Sequence, residues 1–315
     1  AALFGAGVGT LVYQLFTRFK SPVFLGSSFA FLNSLGVAVA YGYCGIVLGS
    51  IVAGLVYVVI AIIIKFVGTA WVGKLLPPII IGPTVALIGL SLAGAAMGDI
   101  VKANNSALFG GYNLLGLLCG LVTFATVIIC STQKKYQMPK LIPFILGILV
   151  GYVVASVFTV IGILTDNIAL QVINFSAFKD MSIFAVPDFT FLEAFEGLKE
   201  VDASFIATIA VAYVPVAFVV FAEHIADHKN ISSIIEKDLL RDPGLHRTLL
   251  GDGVGSMVGA IFGGCPNTTY GESVACVAIT RNASVYTIIT AAVLSMLIAF
   301  FSPFVAFVNS APFLG

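Results

Sequence analysis

GGCPNTTYGE (residues 263–272) is a polar string carrying glycine and proline, set between the apolar runs 246–263 and 270–280. An interruption of this kind leaves backbone N–H and C=O groups without helical partners. Lipid cannot satisfy them, so they face protein, water or a ligand. The run that follows is too short for a simple crossing, which takes about 20 apolar residues. The string also ends in Glu272, and a charge held in hydrocarbon is unfavourable by at least ~2.5–3.5 kcal/mol. These features predict a broken membrane span whose break carries a functional acid.

The same device occurs earlier in the chain. SPVFLGSSFAF (21–31) leads into the short run 28–41. Short, interrupted spans in corresponding places of two halves point to a transporter binding site. The remaining candidate spans are 1–17, 43–67, 79–97, 109–131, 141–164, 203–226 and 284–308, about ten in all with 28–41, 246–263 and 270–280.

Composition agrees. The chain is 59% hydrophobic and 10% charged, with a mean hydropathy of +1.09. Soluble domains carry about 25% charged residues. The chain therefore reads as an all-α polytopic membrane protein. No soluble domain, nucleic-acid surface or signal peptide is visible. The five cysteines lie in or beside apolar runs without metal-ligand spacing, which argues against a disulfide framework or a zinc site. The chain opens at Ala1 inside one apolar run and ends at Gly315 just after another, so an internal piece of a longer protein is expected.

Charge placement orients the spans. With the loop after the first run inside, alternation puts twelve cations inside: Arg18, Lys20, Lys65, Lys74, Lys134, Lys135, Lys140, Lys229, Lys237, Arg241, Arg247 and Arg281. Lys102, Lys179 and Lys199 fall outside. That is a clear positive-inside bias. The acids Asp99, Asp166, Asp180, Asp188, Glu193, Glu196, Glu200 and Asp202 fall outside. The stretch 165–202 is then an extracellular loop, with an interfacial helix expected near 189–198. Asp242-Pro243-Gly244 signals a turn or helix start in the cytoplasmic connector 229–247.

Glu223, His224, Asp227 and His228 cluster at the end of a long apolar run. Glu223 and Asp227 share a helical face. Two such acids in low dielectric resist simultaneous ionisation, so one tends to hold a proton. His224 and His228 have the spacing of two metal ligands, but the order EHIADH lacks the HExxH pattern, and no metal site is expected. Glu272 starts a short helix, where N–H donors are free. Ser27, Ser28 and Phe29 sit at the matching place in the other break, and Phe29 is placed to stack on a flat ring. Carboxylate acceptors and helix N-termini together complement a small planar heterocycle with alternating N–H and C=O groups. Chemistry alone equally permits an amino acid or a cation.

PNTTYGE (266–272) followed by AITR (278–281) resembles the nucleobase/ascorbate transporter family, and within it the bacterial uracil branch. LGSSFAF (25–31), AEH (222–224) and KDLLRDPGLHR (237–247) resemble it too, and the blocks fall in the family's order. The resemblance implies an inverted-repeat transporter fold with seven plus seven spans, its two broken spans preceded by short extended strands. The ten runs here then look like family spans two to eleven. Residues 1–76 and 201–315 are expected in a core domain and 77–200 in a gate.

Substrate-binding roles implied by the resemblance fall on Glu223, Glu272, Phe29, Gly271, Tyr270 and Ser28. Proton coupling falls on Glu223, Asp227 and His228, with Asp227 standing where a histidine is known in the family. Ser273 and Ala275 depart from the wider family motif. The implied function is uracil import with a proton across the bacterial plasma membrane, with no cofactor and a possible homodimer. A purine nucleobase symporter and an anion exchanger or channel of the same fold remain open.

Overall fold

The computed structural model describes the chain except residues 76, 102–113, 135, 180, 188, 190, 198, 200 and 311–315. Lys102, Lys135, Asp180, Asp188, Glu200 and the start of the 109–131 run therefore lie outside the described residues. The helices in order are α1 (Ala2–Phe16), α2 (Leu32–Val39), α3 (Gly42–Val67), α4 (Ala70–Leu75), α5 (Pro78–Val101), α6 (Leu114–Thr132) and α7 (Gln137–Leu141). They continue with α8 (Pro143–Leu164), α9 (Phe191–Gly197), α10 (Ala203–Ile235), α11 (Leu245–Ile261), α12 (Gly271–Thr280), α13 (Val285–Ile298) and α14 (Ser302–Ser310). Helices α3, α6, α8 and α10 are long and apolar enough to cross a membrane.

Each predicted break is present. The strand β1 (Leu25–Ser27) precedes a 3-10 turn and α2, and β2 (Asn267–Thr269) precedes α12. The two strands pair antiparallel, with Leu25 opposite Thr269 and Ser27 opposite Asn267. The chain thus repeats helix, strand and half-helix twice, once as α1–β1–α2 and once as α11–β2–α12.

Two runs differ from their predicted extents. The run 203–226 continues as one helix to Ile235. Its 33 residues span about 50 Å at 1.5 Å each, beyond a hydrocarbon core of about 30 Å. Residues 227–233, polar except for the buried Ile231, prolong it, and it stops where Glu236 turns left-handed at φ 54°. The run 284–308 is broken into α13 and α14 at residues 299–301. Pro303, in the first turn of α14, has no N–H for a continuing helix ladder.

The chain forms two compact units: Ala1–Ile88 with Val186–Phe300, and Gly89–Ala185 with Phe301–Gly315. In the first, α11 packs on both α1 and α3. A Cβ built on Gly9 would stand 2.7 Å from Gly255 O, and one on Gly255 would stand 2.7 Å from Gly9 O. The two helices therefore cross at backbone contact, which only residues without side chains permit. The short α9 packs on α3 within this unit; the sequence placed an interfacial helix in that stretch. In the second unit α6 packs on α8, and Tyr152 Oη lies 2.8 Å from Ser310 Oγ.

Candidate functional site

The site begins with the hydrogen bonds of the two breaks. Gln14 on α1 donates from Nε2 to the carbonyls of Ser21 (2.9 Å) and Val23 (3.1 Å). Leu25 N donates to Thr10 Oγ1 at 3.0 Å, and Asn267 N donates to Ser256 Oγ at 2.8 Å. Ser28 N reaches Pro266 O and Tyr270 N reaches Phe24 O, both at 3.0 Å. The non-helical backbone is thus held by neighbouring helices and by its own partner strand, as burial in a membrane requires. Ser273 adds a tie: its hydroxyl donates to Tyr270 O at 2.7 Å and accepts from Phe24 N at 3.4 Å.

These ties bring the starts of both half-helices together. Ser28 caps the 3-10 turn, its Oγ accepting from Ala30 N at 3.3 Å. Phe29 follows and is 65% exposed. Across the strand pair, Tyr270 precedes α12 and its ring lies directly over Gly26, where a Cβ would collide with it. Gly271 and Glu272 are exposed in the first turn of α12. Their N–H groups have no carbonyl one turn back within the helix, and the helix dipole favours negative or electron-rich partners there.

Helix α10 supplies the other wall. Glu223 is half-buried, and its Oε2 is buried without a hydrogen-bond partner among the described residues. Asp227 is buried, and its Oδ2 accepts from Thr269 Oγ1 at 2.8 Å. Its Oδ1 faces α12 so closely that a Cβ on Gly271 would stand 3.5 Å from it. Asp227, Asp252 and Glu272 are the carboxyl groups near enough to Glu223 to act on it. Among the described residues, neither Glu223 nor Asp227 forms an ion pair, and no group of three or more His, Cys, Asp or Glu suits a metal.

The neighbouring face of α10 points elsewhere. His224 and His228 are four residues apart and stack at 4.1 Å between ring centroids. His228 Nδ1 donates to His224 O at 2.9 Å, and its Nε2 lies 2.7 Å from Tyr13 Oη, which meets Ser21 Oγ at 2.8 Å. His228 therefore faces α1 and is not brought together with Glu223 and Asp227. At about 100° per residue, position 228 cannot share the direction of 223 and 227.

Four participants were missed in the sequence. Asp252, Tyr57, Tyr13 and Thr269 all touch this region. Asp252 carried a usable signal, a charge inside the apolar run 246–263. Tyr57, Tyr13 and Thr269 carried none, because buried tyrosines and threonines are ordinary in apolar helices and strands.

Comparison with known proteins follows the same lines. The Permease family model, Xan_ur_permease, matches residues 1–313. The chain is 39% identical over 312 residues to a uracil permease of Bacillus caldolyticus, covering 99% of this chain and 67% of that protein. It is 38% identical to a uracil permease of Bacillus subtilis, covering 99% and 68%. A uracil permease of Escherichia coli is 32% identical over 295 residues, covering 93% and 62%. Among solved structures, the transmembrane domain of a cyanobacterium bicarbonate transporter, BicA, superposes with a TM-score of 0.64 at 14% identity. That match covers 99% of this chain and 77% of the other, and it is a likeness of fold.

Proposed function

We propose that this chain, which belongs to the Permease family, imports uracil across the bacterial plasma membrane together with a proton. Membership of that family makes it a transporter rather than an enzyme, and a multi-pass protein of that membrane. The uracil reading is supported by relatives that carry that name and by one feature of the geometry. The starts of two half-helices lie side by side, with Glu272 on one of them and Glu223 on the wall.

A uracil ring alternates N–H and C=O groups around its edge. Its N–H groups suit the carboxylates of Glu223 and Glu272. Its carbonyls suit the N–H groups that open α12 and the turn after Ser28. The exposed ring of Phe29 offers a face for stacking, and Tyr270 stands over Gly26 at the start of α12. Several carboxylates, with no cation paired to Glu223 or Asp227 among the described residues, favour a neutral N–H donor over an anion.

Coupling to a proton is assigned to the Glu223/Asp227 pair. A ligand moves a transporter between states only by binding them differently. A proton added to this pair removes a buried charge, and that supplies the difference. His228, turned to Tyr13, supports the position of α10 in this scheme. The test of the site is Glu272→Ala in the full-length protein. Loss of a charged hydrogen bond of about 1.5–3 kcal/mol weakens uracil binding by at least about tenfold, with an unchanged size-exclusion profile. Binding retained at full strength would remove Glu272 from the site.

A further inference from the structure

His224 and Asp252 are both fully buried, and they meet at 2.7 Å between Nδ1 and Oδ2. The other ring nitrogen of His224, Nε2, lies 3.1 Å from Thr248 Oγ1. That threonine already donates its hydroxyl hydrogen to Leu245 O at 3.0 Å. With its hydrogen on Leu245 O the hydroxyl accepts from His224, and Nε2 then carries a hydrogen. Nδ1 and Oδ2 then need one more hydrogen between them, because a bare nitrogen lone pair and a bare carboxylate oxygen would repel at this distance. The pair exists as imidazolium with carboxylate or as imidazole with carboxylic acid. Both forms contain the same single proton and have no net charge.

We infer that His224 and Asp252 form a second proton-binding site in this transporter, one that keeps its shared proton while Glu223 exchanges its own. The surroundings favour this. The titratable groups facing the pair are Glu223, Asp227 and His228 on α10, Tyr13 on α1 and Tyr57 on α3. Thr248 on α11 and Thr268 on β2 complete the shell, Thr268 Oγ1 standing 3.5 Å from Asp252 Oδ2. No Lys or Arg is among them. An ionised Asp252 beside a neutral ring would be an uncompensated buried charge, the arrangement that breaking a buried pair makes strongly unfavourable.

The pair has a consequence for the pocket. Asp252 adds no net charge to the space that Glu223, Asp227 and Glu272 share, so the exchangeable proton belongs to the Glu223/Asp227 pair. That consequence rests on the transport reading above; the shared proton itself does not.

Infrared spectroscopy of the full-length protein, without any substrate, tests it. The difference between the wild type and Asp252→Asn contains either a carboxylic-acid C=O band or an imidazolium band. Its amplitude stays constant across the pH range in which uracil binding changes. In His224→Gln the proton is confined to Asp252, so a carboxylic-acid band is present whichever form the wild type holds, and it is lost in the double variant with Asp252→Asn. A wild-type difference with neither band overturns the inference, as does a band that titrates together with uracil binding, or no acid band in a folded His224→Gln protein. Failure to bind uracil leaves these bands untouched, so a wrong substrate and a wrong proton site give different results.

Discussion

Asp227 Oδ2 accepts a hydrogen bond from Thr269 Oγ1 at 2.8 Å, which fastens α10 to the strand that precedes α12. Both groups are buried. Removing the hydroxyl while keeping the shape, in Thr269→Val, leaves a buried carboxylate oxygen without a donor. The penalty for such a group is about 1–3 kcal/mol. Uracil uptake by Thr269→Val is expected to show a rise in KM of about fivefold or more, and Thr269→Ser to restore most of it. Equal uptake by all three proteins would mean that this bond does not position the site.

The crossing of α1 and α11 predicts a steep dependence on side-chain size. Gly9→Val places bulk where a Cβ would already stand 2.7 Å from Gly255 O. Overpacking of this kind is unfavourable by about 1–3 kcal/mol or more, and the expected result is a clear fall in the melting temperature of the detergent-purified protein. Gly36 on α2 is the control, since a Cβ there meets nothing within 4 Å. Gly36→Ala removes a helix penalty of about 1 kcal/mol and is expected to leave the melting temperature unchanged or raised.

Gly26 makes a sharper local prediction. A Cβ at this position would collide with the ring of Tyr270, which stacks near Phe24 at 6.5 Å. Gly26→Ala is expected to displace that ring and weaken uracil binding while the protein still folds. The paired variant Gly26→Ala with Tyr270→Leu relieves the collision, so competition binding should show the two substitutions to be non-additive. Additive losses would separate Tyr270 from this contact.

The fold was largely legible because broken spans have a strong chemical signature. SPVFLGSSFAF and GGCPNTTYGE put polar, helix-breaking residues where lipid gives no partners, and both became strand-and-half-helix units. The resemblance of their blocks to a transporter family was borne out over nearly the whole chain. Less was legible about which residues meet. The pairing of β1 with β2 joins positions more than 200 residues apart, and no local pattern encodes it. Helical phase separated His228 from Glu223, which a cluster read along the sequence does not display. The glycine pairs of α1 and α11 became meaningful only once the two helices were seen to cross. The break between α13 and α14 was hidden because apolar residues continue on both sides of it.

In the proposed scheme the protonated Glu223/Asp227 pair binds uracil from outside. Affinity is therefore full at low pH and falls as pH rises and the proton is lost. Glu223→Gln fixes that position in a neutral form, so its uracil affinity should vary far less with pH than that of the wild type. A Glu223→Gln protein with the wild-type pH profile would move the exchangeable proton to another group.

The most direct measurement is equilibrium binding of uracil and xanthine to the purified full-length protein at acid and at alkaline pH. Uracil binding is expected to strengthen in acid, xanthine to bind weakly at both, and Glu272→Ala to lose uracil binding. Binding of xanthine in place of uracil, or uracil binding that does not change with pH, would contradict the proposed scheme.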